Sequence, residues 1–539
     1  MTSDNFRQTR NRIGSAAIII AVFSLLSKIL GLARDAIFSH QFGTGPVIDA
    51  YFAAFRIPDF VFNLLILGTF SVAFIPIFSE YLIKDKEKAN RLANSIINVT
   101  LLMIFVFSLL ALVFINPLIS AIAPGFQGET RELAKTFTKI FLLSPIFLTL
   151  SSITSSMLNT HRRFAIVSAA PLLYNASIIA GAVWLYPKFG PMGLAFGVVL
   201  GAFLHFIIQV PQLLSLGFRY EFKIDTRQPG FIQFWKLYWP RIFSMGTGQI
   251  TLLITSIFGS FLGAGALSSF YYANNLQGVF LSIFAVSAAL AVFPVMSDLF
   301  NEKDMTGLKD VIAHTTIQIL YFVIPLSVLM LILRAQVVRL VLGIGQNTNF
   351  TFNDVRTVAA TLGLFAVSMF AQGLIQLFTR AFYAMQNTRI PVIISFITIA
   401  INIVATAILV RKFGVPGLAM AFSITSLIEL AILMMELHVK LGNIHDEYLI
   451  VLTLKIVISS LVAGIITYIT LYIVAPFVPM NKYVGVLTQA IISGLVGSLA
   501  YLAVSWVLGL AETRNIISVT RSAVAKAGKP FAYIWSMWS

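Results

Sequence analysis

The feature that most constrains this chain is its set of long, nearly charge-free apolar runs, such as Ile13–Ala33 and Ile390–Val410. A helix needs about 20 apolar residues to cross the hydrocarbon core of a bilayer. No water is available there, so a spanning segment must be a helix or part of a closed barrel. Barrel strands read as short alternating segments, and these runs are continuous. Only 11% of the residues are charged and 58% are hydrophobic, whereas soluble domains carry about 25% charged residues. The sequence therefore predicts an all-α integral membrane protein.

The net charge of +16 does not imply nucleic acid as a partner, because the basic residues sit in short loops and at the chain ends, the pattern that orients membrane helices. Membrane lipids are the expected surroundings. The absence of cysteine excludes disulfides and thiolate metal sites. Arg7, Arg10 and Arg12 precede the first apolar run. That run has spanning length and no small-residue cleavage site after it, so it reads as a retained first helix.

Charged and Pro/Gly breaks divide the chain into about 14 spans. They fall near 13–33, 49–83, 93–122, 134–159, 164–186, 191–216, 237–262, 266–298, 310–333, 355–386, 390–410, 414–440, 448–475 and 483–509. Pro58, Pro76 and Pro294 are candidate kinks. With the N-terminus inside, cytoplasmic segments hold about twice as many lysines and arginines as outer loops. Both termini are then cytoplasmic, including a basic tail with Arg514, Arg521, Lys526 and Lys529.

Three pairs of segments recur at an offset of about 220 residues, as in an internal duplication. "YPKFGPMGLAFG" (Tyr186–Gly197) returns as "VRKFGVPGLAMAFS" (Val410–Ser423). "LNTHRRFAIV" (Leu158–Val167) returns as "MQNTRIPVII" (Met385–Ile394), and "AFIPIFSEYL" (Ala73–Leu82) as "AVFPVMSDLF" (Ala291–Phe300). Six spans per copy gives parallel repeats. The expected organisation is an N-terminal lobe at 1–216, a cytoplasmic linker at 217–236, a C-terminal lobe at 237–441, two further helices at 442–510 and a tail at 511–539. Two such lobes around a central cavity form the architecture of alternating access, so a transporter is the leading class.

Ionisable groups inside spans are expensive and mark function. Lys28, Arg34, Asp35, Asp49, Arg56 and Asp59 are concentrated in the first two spans. Seven residues is nearly two turns, so Lys28 and Asp35 share a helix face, with Arg34 about 100° away. A cationic cavity selects an anionic substrate, and arginine's planar fork suits phosphate. The blander readings are a snorkelling Lys28, a helix-end Arg34–Asp35 pair and a structural Arg56–Asp59 pair. His205 and Glu429 are related by the repeat, and interhelical hydrogen bonding is the simplest use of Asn175 and Asn402. No enzyme constellation, metal-ligand spacing or Walker loop is present, so the chain is not expected to be an enzyme or to need a metal or cofactor.

The block "SKILGLARDAIFSHQFGTGPVIDAYFAAFRIPDF" (Ser27–Phe60) resembles the MurJ/MviN family of lipid II flippases. The likeness continues through "GTFSVAFIPIFSEY" (Gly68–Tyr81), "LNTHRRFAIVSAAPLLYN" (Leu158–Asn175), "FYYA" (Phe270–Ala273) and "RAFYAMQNTRIPV" (Arg380–Val392). This family belongs to the multidrug/oligosaccharidyl-lipid/polysaccharide exporter superfamily, with two six-helix lobes and two additional C-terminal helices. The resemblance implies a protein of the bacterial cytoplasmic membrane. It would move an undecaprenyl-pyrophosphate-linked peptidoglycan precursor from the inner to the outer leaflet during cell-wall biogenesis. It places Lys28 and Arg34 at arginine positions of the family cavity and Arg56 at a basic position, all three as substrate-binding residues. It places Asp35 and Asp49 at acidic positions that tune charge or gate the outer side.

The sequence also departs from the family pattern. A further cavity arginine falls at Phe62 or Asn63, and the eighth-helix arginine and its acidic neighbour fall at Asn275 and Asn274. Some members have a sodium site on the seventh and eleventh helices, but 235–262 and 390–410 contain no acidic residue. The alternatives are a flippase for another polyprenyl-linked glycan, and a non-transporting membrane scaffold that recruits cell-wall synthesis proteins.

Overall fold

The structure, a computed structural model, describes residues 3–66, 70–245, 247–343 and 348–514, with side chains except at 3–19, 21, 64, 72 and 240–248. Arg521, Lys526 and Lys529 of the basic tail lie outside the described residues, and Arg7, Arg10 and Arg12 lie where side chains are not described.

Among the described residues every regular element is a helix. In chain order they begin with α1 (Ser3–Phe42), α2 (Pro46–Ala54), α3 (Arg56–Leu65), α4 (Phe70–Lys84), α5 (Lys86–Val113), α6 (Ile115–Ile122), α7 (Gly128–Phe141) and α8 (Ser144–Thr160). Then follow α9 (Phe164–Ala180), α10 (Tyr186–Phe189), α11 (Met192–Ile207), α12 (Val210–Ser215), α13 (Pro229–Met245), α14 (Thr247–Ser260), α15 (Ala266–Leu281) and α16 (Ser287–Asn301). The last are α17 (Met305–Ile332), α18 (Arg334–Val341), α19 (Phe352–Ala384), α20 (Arg389–Phe413), α21 (Val415–Leu441), α22 (Asp446–Val474) and α23 (Tyr483–Val507). Single π-turns at Gly181–Leu185 and Ser282–Val286 join α9 to α10 and α15 to α16. Eleven helical segments among the described residues are long and apolar enough to cross a membrane.

The over-long second span, expected at 49–83, is three helices, α2, α3 and α4. Pro58 explains the first break. It has no N–H to give the carbonyl of Ala54, four residues back, and its ring crowds that carbonyl. The Ala54 oxygen lies 3.4 Å from the Thr138 hydroxyl, whose shorter bond runs to the Ala134 carbonyl at 2.7 Å, while α3 restarts at Arg56. The predicted kink positions Pro76 and Pro294 lie inside α4 and α16. Helix α13 begins at Pro229, before the position expected for the start of the seventh span, and proline is well suited to a first helical turn.

The sequence repeats have the same local geometry in both copies. Gly190 and Gly414 both adopt left-handed backbone, with φ +58° and +62°. Each accepts at its carbonyl the N–H of the residue three further on, Gly193 or Gly417, at 2.9 Å. Arg162 and Gln386 are the left-handed residues ending α8 and α19, at φ 59° and 57°. In each case the next residue's N–H returns to the last helical turn at 2.9 Å, a Schellman closure. Asp85 caps α5 by accepting from the N–H groups of Glu87 and Lys88, and Asp304 caps α17 by accepting from Gly307. The Lys88 N–H holds the Asp85 carboxyl below the usual carboxylate range.

The chain divides into two compact units, one of Met1–Asn275, Val341–Val358 and Ile399–Ala421, the other of Leu276–Leu340, Ala359–Thr398 and Phe422–Ser539. In the first, Phe70, Phe74 and Phe78 recur every four residues on α4 and stack at 5.2 and 5.0 Å. They bury against Phe234 and Tyr238 of α13. In the second, α22 and α23 pack against α17, where Tyr501 donates to the Tyr321 carbonyl at 2.8 Å.

Helix α11 approaches α9 and the π-turn and α10 that follow it through Gly193, Gly197 and Gly201, one small residue per turn, which permits close backbone contact. A methyl group on Gly197 would sit 2.7 Å from the Gly181 Cα. Gly197→Ala is therefore expected to destabilise the protein by about 1–3 kcal/mol, measured as thermal unfolding in detergent. Gly278→Ala, where a Cβ meets nothing within 4 Å, should leave the midpoint unchanged or raise it.

Candidate functional site

Arg34 and Asp35 lie in the last third of α1. The Arg34 guanidinium folds onto its neighbour, and Nε and one terminal nitrogen both donate to Asp35 Oδ1, at 3.0 and 2.8 Å. The other terminal nitrogen reaches Asn175 Oδ1 on α9 at 3.5 Å. Asn175 is itself aimed by donating to the Pro171 carbonyl at 3.2 Å and the Ser27 hydroxyl at 3.3 Å. The second Asp35 oxygen accepts from Asn275 Nδ2 on α15 at 2.8 Å. Asp35 is thus enclosed, 3% exposed at its side chain, while Arg34 retains 20%. A guanidinium has five N–H donors, and this arrangement leaves some of them for a ligand.

Asp49, on α2, is 1% exposed. It accepts from the Gly265 N–H at 2.6 Å and from the Ser268 N–H and hydroxyl at 2.7 Å each. These are donors at the start of α15, where backbone N–H groups lack helical partners and the helix dipole favours negative charge. The surrounding turn is tied in the same way. The Thr44 hydroxyl donates to Asp354, the Ser39 hydroxyl to the Leu342 carbonyl at 2.7 Å and the Asn349 N–H to the His40 carbonyl at 3.0 Å.

Arg56, at the start of α3, is buried. Its Nε donates to the Phe52 carbonyl at 3.2 Å, its guanidinium carbon lies 4.8 Å from the centre of the Tyr271 ring, and Asp59 stands 3.9 Å away. This is cation–π range with a loose ion pair. Lys28 is exposed and has no hydrogen-bond or ion-pair partner among the described residues. It shares a helix face with Asp35, but seven residues separate them by about 10 Å along the axis, and only Asp35 meets partners.

Three of the five predicted residues contact one helix directly, and a fourth reaches it through its neighbour. Ser268, Tyr271 and Asn275 of α15 touch Asp49, Arg56 and Asp35, and between them Tyr272 donates to the Gly43 carbonyl at 3.3 Å. Arg34 joins through Asp35. Sequence reasoning missed Ser268 and Tyr271 and treated Asn275 only as a lost arginine. The signal was the polar spacing of residues 268, 271/272 and 275, the i, i+3/i+4, i+7 pattern of one helix face. Phe62 and Asn63 are half-buried on α3, and His205 pairs with the Ser151 hydroxyl at 2.6 Å.

Removing Asp35 leaves Arg34 and Asn275 without their shared acceptor. Asp35→Ala is expected to cost about 3 kcal/mol of stability, and Asp35→Asn less, since one carbonyl oxygen remains to accept. Thermal unfolding in detergent measures both. An unchanged midpoint in Asp35→Ala would mean that water satisfies Arg34 in its place.

A family model described as Lipid II flippase MurJ matches residues 38–488. A probable lipid II flippase MurJ of Buchnera aphidicola subsp. Schizaphis graminum is 29% identical over 494 residues, covering 89% of this chain and 94% of that protein. One from Vibrio cholerae is 29% identical over 446 residues, covering 80% and 83%. A solved lipid II flippase MurJ in an inward closed conformation superimposes with a TM-score of 0.77 at 28% identity, over 93% of this chain and 100% of that one. A multidrug resistance MATE family transporter in an inward-facing conformation shares the fold at a TM-score of 0.64 and 13% identity, over 80% and 99%. With the family model spanning most of its length, this chain belongs to the MurJ lipid II flippase family.

Proposed function

We propose that this protein is a lipid II flippase and not an enzyme. It moves the undecaprenyl-pyrophosphate-linked precursor from the inner to the outer leaflet of the bacterial cytoplasmic membrane by alternating access. The observation that carries the reading is Arg34, a membrane-embedded guanidinium fixed by Asp35 and Asn175 with donors to spare, in a chain of this family. A pyrophosphate entering a low-dielectric core needs such partners, and a preorganised arginine fork supplies them directionally. Lys28 and Arg56 add charge in this reading. The lobes are 1–216 and 237–441 joined by the segment 217–236, which includes the first turns of α13, with 442–510 as the extra helix pair, and both termini face the cytoplasm.

Asp49 and the turn around it form the outer latch. A buried carboxylate on three donors at the start of α15 holds closed a junction that also includes Thr44 and Asp354. Transport requires these bonds to break and reform. Asp35 tunes charge by neutralising Arg34 at rest.

Complementation of a cell depleted of its own lipid II flippase tests the site. Wild type is expected to restore growth, Arg34→Ala to fail at equal membrane level, and Arg34→Lys to rescue partially, since lysine keeps the charge and loses the fork. Failure of well-folded wild type would turn the reading toward another polyprenyl-linked glycan or a scaffold role; full activity of Arg34→Ala would remove Arg34 from the site.

The latch is tested by thiol labelling, which the cysteine-free chain allows without background. Ser269, 2% exposed on α15, is replaced conservatively by cysteine. Adding Asp49→Ala is expected to raise its labelling by an outside, membrane-impermeant maleimide severalfold. Equal labelling with and without Asp49 would show that this cap does not close the outer side.

A further inference from the structure

The linker read from the sequence as a simple connection is a fixed strap. Residues 218–225 have no regular secondary structure, turn once where the Lys223 N–H meets the Glu221 carbonyl at 2.8 Å, and are held by three buried side chains of α5, Asn94, Ser95 and Asn98. Asn94 donates to the Arg219 carbonyl at 2.8 Å and accepts from the Glu221 N–H at 3.2 Å. Asn98 donates to the carbonyls of Glu221 and Lys223 at 3.0 Å each and accepts from the Tyr220 hydroxyl at 2.8 Å. Ser95 accepts from the Asp225 N–H at 2.9 Å. Apart from the Tyr220 hydroxyl this grip is on the backbone, so the apolar side chains Phe222 and Ile224 are left to the surface.

The linker side chains alternate strictly: Phe218, Tyr220, Phe222 and Ile224 between Arg219, Glu221, Lys223 and Asp225. Phe218 is buried, but Tyr220, Phe222 and Ile224 are 56%, 83% and 46% exposed. The apolar row leads to an open groove of about 410 Å³ lined by Thr226 and by Phe231, Ile232, Trp235, Lys236 and Trp239 of α13. Ile232, Trp235/Lys236 and Trp239 follow i, i+3/i+4, i+7 spacing, so one face of α13 forms the wall. The indole N–H of Trp235 has no acceptor, and the side-chain carbonyl of Gln228 no donor, among the described residues. Buried polar groups of this kind ordinarily have partners.

The charges on this surface are unequally used. Lys223 pairs with Glu221 at 3.0 Å, and Asp225 accepts from the Arg227 N–H at 3.1 Å. Arg219, Arg227 and Lys236 have no ion-pair partner among the described residues. Aromatic and aliphatic surface beside unpaired cations is the composition of a membrane-interface contact, and its charge complements an anionic headgroup.

We propose that the groove between the strap and the first turns of α13 binds an anionic phospholipid of the inner leaflet. Its phosphate lies against Lys236 and Arg227, its acyl chain runs along Ile232 and Trp239, and a small rotation lets an ester oxygen accept from the Trp235 indole N–H. The site rests on the cytoplasmic placement of the linker, but not on what the protein transports. A bound lipid would fasten the strap and the start of the seventh span to the membrane surface.

The test uses the purified full chain in phosphatidylcholine nanodiscs doped with brominated phosphatidylglycerol or, in parallel, brominated phosphatidylcholine, read as tryptophan quenching. Quenching is expected at a lower mole fraction of phosphatidylglycerol than of phosphatidylcholine, and the difference should vanish in the double variant Trp235→Phe/Trp239→Phe. Lys236→Gln should weaken the preference about fivefold, the effect of one cation at an anionic surface. Phe222→Ser, an exposed position that the fold does not need, should weaken quenching by both lipids. Equal quenching by the two lipids, or a preference unchanged in Lys236→Gln, would overturn the proposal. Because binding is read without transport, loss of this site and loss of flipping are separable results.

Discussion

A charge inside a membrane must find its compensation within the protein, and in this chain the compensation for Arg34 is the residue beside it. An isolated guanidinium in hydrocarbon is strongly disfavoured. Asp35 cancels its charge at 2.8 Å, but a buried pair repays its own desolvation only when the remaining lone pairs are also satisfied. Asn275 does this by donating to the free Asp35 oxygen, and Asn175 by accepting from the far edge of the arginine. Three helices, α1, α9 and α15, are thereby placed relative to one another by one network. The same rule operates at Asp49, whose charge is met by the N–H groups that open α15.

This explains why α15 reads so polar for a membrane helix. Its first ten residues include Ser268, Ser269, Tyr271, Tyr272, Asn274 and Asn275. Each charged residue of the early helices that it meets is given a partner suited to its sign: hydroxyl and N–H donors for Asp49, an aromatic face for Arg56 and an amide donor for Asp35. The helix has no ionisable carboxylate or cation of its own, so it satisfies these groups without adding charge that would itself need a partner.

Much of this was legible in the residues. Helices follow from uninterrupted apolar runs, because hydrocarbon allows the backbone few other arrangements. The repeat was legible because turn chemistry is local: Gly190 and Gly414 need left-handed backbone, and that requirement is visible as a glycine. Arg34, Asp35, Asp49 and Arg56 were visible as expensive residues in apolar runs. The rest depended on contacts distant in sequence. The break before Arg56 sets the Ala54 carbonyl 3.4 Å from Thr138 on α7, and no local pattern in 49–83 reveals that contact. Asn275 looked like a loss because sequence comparison registers a missing cation and not the acid it faces. The linker looked like a connection because its partners, Asn94 and Asn98, lie more than a hundred residues earlier.

The charge pattern bears on how such a site would handle a pyrophosphate. Arg34 is paired with Asp35, and Arg56 is shared between the Tyr271 ring and a distant Asp59. Of the three candidate cations, Lys28 alone has no ion-pair or hydrogen-bond partner among the described residues. A site with three unpaired cations would hold a pyrophosphate tightly, and conduction through any pathway requires binding weak enough to permit exit. Neutralised but donor-rich arginines would offer a substrate hydrogen bonds and shape without a deep electrostatic well. On that argument, the neutral amide of Asn275 holds Asp35 by a hydrogen bond without adding charge around it.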